Sequence, residues 1–169
     1  ETMLHALLMK NIVGGTSMVS CKKTSLLEVG LFDEAMPALQ DYELWLRMAR
    51  HGLVFRLLNK PLTLYNYHTN KKSVTKSIDV NSKARKMIEA KYQTEYGQLN
   101  QKELCLLDER KRYEVVHKYL LNRQIFSALK AQVLLLARYP SFKSLISIFI
   151  IPLGPKIPYY LKALIKRRF

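Results

Sequence analysis

The chain has 169 residues, 49% of them hydrophobic, which is enough for one domain with a sizeable core or for part of a larger enzyme. Its 28 lysines and arginines against 13 aspartates and glutamates give a formal charge of +15, so the surface it favours is anionic: nucleic acid, phospholipid or sugar phosphate. Two cysteines, Cys21 and Cys105, exclude a disulfide scaffold and lack the paired spacing of a zinc site, which fits free thiols in a reducing compartment.

The charge is unevenly spread. All 13 acids lie at or before Glu114 beside 18 basic residues, and the other 10 basic residues, between Val115 and Phe169, have no acid among them. A solvated domain intersperses both signs, so this one-sided region points to a negative partner surface.

Residues 1–77 read as mixed structure. A short apolar segment leads to the loop "NIVGGTSMVS", then to a polar helix "KKTSLLEVG" closed by Gly30, then to "LFDEAMPAL" and an amphipathic helix starting near Asp41. "LVFRLL" (53–58) and "LTLYNY" (62–67) have the apolar and aromatic character of strands. From about Ile78 the composition turns helical, with helices expected over 80–97, 101–139, 141–151 and 156–169. The expected fold class is therefore α+β by content but mostly helical, with a domain over 1–77 and a helical extension over 78–169. Glu1 opens on what reads as mid-domain sequence, so a further segment upstream is expected.

"SLISIFIIPL" (144–153) is strongly apolar but only ten residues long, and Pro152, Gly154, Pro155 and Pro158 interrupt the pattern. A membrane span needs about 20 residues, so none is expected here. "KIPYYLKALIKRRF" mixes aromatic and aliphatic residues with Lys156, Lys162, Lys166, Arg167 and Arg168, as a helix lying in a headgroup layer does. The alternative is a terminal helix packed on its own domain.

Within "PALQDYELWLRMARHG" (37–52), Asp41 shares a helix face with Trp45 and Met48. Glu43 and Arg47 are spaced as an i,i+4 ion pair, worth a few tenths of a kcal/mol on an exposed face. An acid at a helix start interacts well with the unsatisfied amides there, so capping alone explains Asp41.

The stretch from Gly14 to Gly52 carries "VGLFDE" and, after a short interval, "QDYELWLRMA". It resembles the second half of the catalytic domain of family-2 glycosyltransferases, nucleotide-sugar-dependent inverting enzymes with a GT-A (α/β) fold. That family has a "GGFDE" turn followed by an acid pair and "DLWLRLA". Here Leu31 replaces the second glycine and Gln40 the first acid. The resemblance implies that Asp41 is the general base, taking the proton of an acceptor hydroxyl as it attacks the anomeric carbon. It further implies substrate contacts from Gly14, Gly15, Thr16, Gln40 and Trp45, although a tight turn is a sufficient account of the two glycines.

"LYNYHTNKKSVTKS" (64–77) resembles the family's "YRxHxxSxS" segment, with Asn66 in place of its arginine. The resemblance implies His68 as a metal or diphosphate ligand and Lys71, Lys72, Ser73 and Thr75 as phosphate-binding groups. A surface or packing role for His68 is the alternative.

The function expected is thus part of an inverting glycosyltransferase that moves a sugar from a nucleotide-sugar donor to a glycan or polyprenyl-diphosphate-linked acceptor in bacterial surface polysaccharide synthesis. The complete enzyme is expected to use a divalent metal, Mn or Mg. This chain, without a nucleotide-binding half, is expected to bind none and to be inactive alone. The tail implies peripheral attachment to an anionic membrane surface at the cytoplasmic face. Two other classes compete: a basic nucleic-acid-binding module, disfavoured because no RNA-recognition or zinc motif occurs, and a non-catalytic membrane-associated helical domain, which leaves the Gly14 to Gly52 pattern unexplained.

Overall fold

The computed structural model describes residues 2–64 and 77–151. The chain divides into two compact units, residues 1–99 and 100–169. The helices Ile78–Lys91 and Gln93–Gly97 belong to the same unit as the residues before them.

The first unit contains α1 (Met3–Met9), a 3-10 turn (Thr16–Met18), α2 (Lys23–Glu28), α3 (Gln40–Arg50), α4 (Ile78–Lys91) and α5 (Gln93–Gly97). α3 is central rather than a surface helix. It buries Tyr42, Glu43, Leu44, Trp45, Leu46 and Met48, so nearly its whole circumference is covered. Leu7 and Leu8 of α1, Val29, Met36 and Ala38 before α3, and Ala84, Ile88 and Tyr92 complete the core around it. Tyr42 Oη donates to Leu7 O at 2.6 Å and ties α3 to α1.

Local signals end the helices where the sequence suggests. Gly30, with φ +87°, closes α2 while Leu31 N donates to Leu26 O at 2.9 Å, a Schellman arrangement that satisfies a terminal carbonyl. Gly52, with φ +74°, closes α3 in the same way, Leu53 N reaching Met48 O at 3.1 Å. Ser77 starts α4 by accepting from Val80 N.

The strand expectations fail. Among the described residues there is no strand: 53–58 and 62–64 have no ladder, and 65–67 lie outside them. β character in a sequence is local, whereas a strand exists only by pairing, and among the described residues no second extended segment pairs with this one. Val54, Leu57, Leu58, Leu62 and Leu64 are accordingly all exposed. The described residues are therefore mostly helical and do not show an α/β half-domain.

The second unit packs α6 (Gln101–Leu121) on α7 (Ile125–Arg138) and α7 on α8 (Phe142–Ile150). Asn100 and Glu103 form a reciprocal capping box at the start of α6. The single helix expected over 101–139 is broken at Arg123, which takes the left-handed conformation with φ 59°. Arg123 N then donates to Leu120 O and Gln124 N to Tyr119 O, closing α6 without a glycine. Val116, Ala128 and Ile151 are buried together, with Tyr119, Leu120, Ile125 and Leu129 against them. The tail helix expected over 156–169 lies outside the described residues.

Candidate functional site

The start of α3 is set by Leu39, whose left-handed backbone (φ 59°) occupies the cap position with no side-chain hydrogen bond. Asp41 is therefore not the cap but the second residue of the helix. Its Oδ1 accepts the Tyr42 N–H at 2.8 Å, an interaction suited to the amide end of a helix.

Opposite this carboxylate lies the loop 11–15, which Asn11 folds. Asn11 Oδ1 accepts from Val13 N at 3.2 Å and Gly14 N at 3.0 Å, an Asx turn that bends the chain back. Gly14 has φ +94°, a conformation that favours glycine, and a Cβ there would sit 2.9 Å from Sδ of the exposed Met18 side chain, which would have to shift. Trp45, one turn along α3 from Asp41 and 2% exposed, donates from Nε1 to Gly14 O at 3.0 Å. It thereby fixes the loop to the helix. A methyl group at Gly15 would lie 3.7 Å from Asp41 Oδ2, which places this oxygen beside bare backbone. The half-buried carboxylate, with one oxygen held by its own helix and the other facing Gly15, can accept a proton from a hydroxyl seated against that glycine.

On the opposite side of α3, Arg47 pins the "VGLFDE" turn. Its guanidinium donates to Val29 O, to Leu31 O at 2.6 Å and to Glu43 Oε2 at 2.9 Å. Glu43 is 1% exposed and also pairs with Lys91 Nζ at 3.3 Å, while Lys91 bonds Asp33. The expectation of a weak surface pair is thus wrong, because α3 is enclosed where a peripheral helix would be exposed. The Lys91 hydrogen bond and the Ala35 N–H hold the Asp33 carboxyl below its ordinary pKa. Burial disfavours the Lys91 charge, but Asp33 and Glu43 outweigh it and raise its pKa. Arg50 lies 4.7 Å over the Tyr92 ring and bonds Glu95, joining α3 to α5. Burial pushes the Tyr92 hydroxyl pKa far up, so it stays neutral. Asp33, Glu43, Arg47, Arg50, Lys91 and Tyr92 line a cleft of about 560 Å³ with Phe32, Glu34 and His51, and its central charges neutralise one another.

The structure thus brings together Gly14, Gly15, Asp41 and Trp45. Thr16 opens the adjacent 3-10 turn and is exposed. Gln40 is exposed and donates from Nε2 to Met36 O at 3.0 Å, bracing the approach to α3. His68, Lys71, Lys72, Ser73 and Thr75 lie outside the described residues. No group of three His, Cys, Asp or Glu side chains able to hold a metal occurs among the described residues. Sequence reasoning missed Asn11 and Arg47 as organisers of the two loops. An asparagine three residues before a glycine signals the first, and nothing local signals the second.

No protein-family profile matches the chain, and no solved structure matches it. It is similar, with 26% identity over 165 residues, to a Haemophilus influenzae protein named an uncharacterized glycosyltransferase. The match takes in 97% of this chain and 54% of that protein, so the chain spans about half the length of this relative. The likeness points to a glycosyltransferase and to no particular type within that class.

Proposed function

We propose that the chain is the acceptor-side part of an inverting, family-2-type glycosyltransferase in which Asp41 is the general base. The observation that supports this most is the seating of Asp41 Oδ2 against Gly15, on a helix whose position is fixed by Trp45 on one side and Arg47 on the other. An inverting transfer needs one carboxylate beside the acceptor hydroxyl. The acceptor oxygen attacks the anomeric carbon, its proton passes to Asp41, and the nucleoside diphosphate leaves from the opposite face of the sugar. Rigid placement matters because proton transfer requires hydrogen-bond reach, and α3 is the most enclosed helix of its unit. Gln40 carries no charge and takes no part in the proton transfer.

The donor would be a nucleotide sugar and the acceptor a glycan or polyprenyl-diphosphate-linked glycan, as in surface polysaccharide assembly. The described residues do not offer a metal cradle, so no step here runs through a divalent ion; a Mn or Mg role rests on His68 and on the donor half of the larger protein. Location at the cytoplasmic face of a membrane, through the basic segment 156–169, belongs to the same proposal and rests on charge pattern alone.

The decisive experiment is Asp41→Asn in the longer protein of which we propose this chain is a part, assayed with a panel of UDP-sugars. Transfer falls by about two to four orders of magnitude while donor affinity stays within about twofold. Near-normal transfer by the variant would remove the base assignment. The 169-residue chain alone gives no micromolar calorimetric binding of UDP-sugars with Mn²⁺, and such binding would show that the donor site lies within it.

A further inference from the structure

The second unit wears its apolar pattern on the outside. In α8, Phe142, Leu145, Ile146 and Phe149 recur at the i, i+3, i+4, i+7 spacing that a globular helix turns to its core, yet Phe142 is 77% and Phe149 72% exposed. What α8 turns inward is polar. Ser144 is fully buried, with its hydroxyl bonded to Tyr113 Oη and Ser141 Oγ and its carbonyl accepting from Gln132 Nε2 at 3.0 Å. α7 also carries apolar residues on its outer side, although its inner side is partly apolar. Its buried face is Ala128, Gln132 and Leu135, whereas Phe126 is 89% exposed and Val133 and Leu134 are more than half exposed.

An outward apolar stripe on each of two mutually packed helices needs a cover, and the charge around it says which. α7 contributes exposed Lys130 and Arg138, and no acid occurs anywhere after Glu114. A second copy packed face to face on this stripe would set Lys130, in register with Phe126 and Leu134, against its own image, with no acid on α7 or α8 to neutralise it. A layer of anionic headgroups over acyl chains meets both features at once, accepting the phenylalanines below and pairing the cations at the surface. α8 is nine residues, about 14 Å long at 1.5 Å per residue, and no helix among the described residues is long and apolar enough to cross a membrane. α8 is thus short enough to lie in an interface and too short to cross a membrane.

We infer that the outward faces of α7 and α8, centred on Phe126, Phe142 and Phe149, are a docking surface for an anionic phospholipid membrane. This deepens the membrane part of the proposed function, adds a site distinct from the basic segment 156–169, and does not depend on the transfer chemistry.

The test is co-sedimentation of the whole chain with vesicles of phosphatidylcholine alone and of phosphatidylcholine mixed with phosphatidylglycerol, at low and high salt, without nucleotide sugar. The chain binds the mixed vesicles, and more weakly as salt rises. Phe142→Gln with Phe149→Gln lowers the partition coefficient at least about tenfold, since each exposed ring supplies apolar area to the interface. Phe126→Gln, on the other helix, lowers it by a few-fold and guards against a local effect on α8. Circular dichroism and thermal melts confirm that the variants, altered only at exposed positions, stay folded. Asp41→Asn binds vesicles as the unaltered chain does, so loss of transfer and loss of docking are separable. Equal binding by the phenylalanine variants overturns the inference, as does failure of the unaltered chain to bind mixed vesicles. Sedimentation equilibrium showing a dimer that the variants dissolve, with no vesicle binding, overturns it in favour of a second copy.

Discussion

Arg47→Lys keeps the charge at the centre of the first unit and removes its geometry. The arginine fork reaches three acceptors, Val29 O, Leu31 O and Glu43 Oε2, from two nitrogens, and a single ammonium on a shorter stem holds one of them. A hydrogen bond involving a charged group contributes about 1.5–3 kcal/mol net, so losing two gives an upper range of about 3–6 kcal/mol. The Arg47 side chain is 20% exposed, and water partly replaces the lost partners, which brings the expected loss to about 2–3 kcal/mol. Urea unfolding followed by the fluorescence of Trp45, the one tryptophan of the chain and buried beside Gly14, reads this unit alone. The midpoint should fall by roughly 1 M or more. Glu43→Gln leaves Arg47 and Lys91 facing a neutral buried amide and should lose about as much. The double variant should be sub-additive by about 1 kcal/mol or more, since both changes break one network. If Arg47→Lys shifts stability by less than about 0.5 kcal/mol and adds to Glu43→Gln, the pair is an ordinary exposed i,i+4 contact and the enclosed picture of α3 is wrong.

Four other outcomes follow from single positions. Gly14→Ala forces a side chain into φ +94° and against Met18, and should destabilise by about 1–2 kcal/mol in the same urea assay. Gly15→Ala, with ordinary backbone and a 3.7 Å approach to Asp41, should leave stability within about 0.5 kcal/mol yet depress transfer in the longer protein by crowding the acceptor seat. The Asp33 carboxyl, held below its ordinary 3.8, contributes stability that is full above the unfolded value and lost as pH falls through the lower folded one. Lys91, raised above 10.5, contributes stability that is full below that value and lost as pH rises through the higher folded one. Lys91→Met should therefore lower the melting temperature at neutral pH and flatten its decline at the acid end. Arg123→Gly relieves a side chain held at φ 59° and should stabilise the second unit by about 0.5 kcal/mol in thermal melts, whereas a loss would show that the arginine side chain supports the turn.

What the sequence reveals divides by range. The Gly30 and Gly52 stops and the Asn100–Glu103 cap are legible because one residue type performs each task through its own backbone freedom or side-chain reach. The break at Arg123 is not, since arginine has no preference for the left-handed region and tertiary packing imposes the turn. The i,i+4 spacing of Glu43 and Arg47 is visible, but whether that face meets water or Lys91, 44 positions beyond Arg47, is a long-range fact, and it changes the pair from marginal to central. The same limit explains the strands expected over 53–58 and 62–67, where local composition suggests extension and only a partner could confirm it. Periodicity likewise shows that α8 has an apolar face without showing that this face points outward.

Asp41 illustrates how far a short pattern can carry a chemical reading and what structure then adds. The string from Val29 to Ala49 singles out this carboxylate, and helix capping is the obvious competing account. The structure assigns the cap position to Leu39, whose side chain offers no cap, and Asp41 in the first turn accepts the Tyr42 amide, so its helix-start role stands beside the chemical one. Its Oδ1 is occupied by the next residue's amide, and its Oδ2 lies 3.7 Å from where a Cβ at Gly15 would stand. Gly15, at φ −83°, has no conformational need to be glycine, unlike Gly14. In the proposed reaction this bare stretch of backbone would be the side from which an acceptor hydroxyl approaches the fixed carboxylate oxygen, as proton abstraction requires.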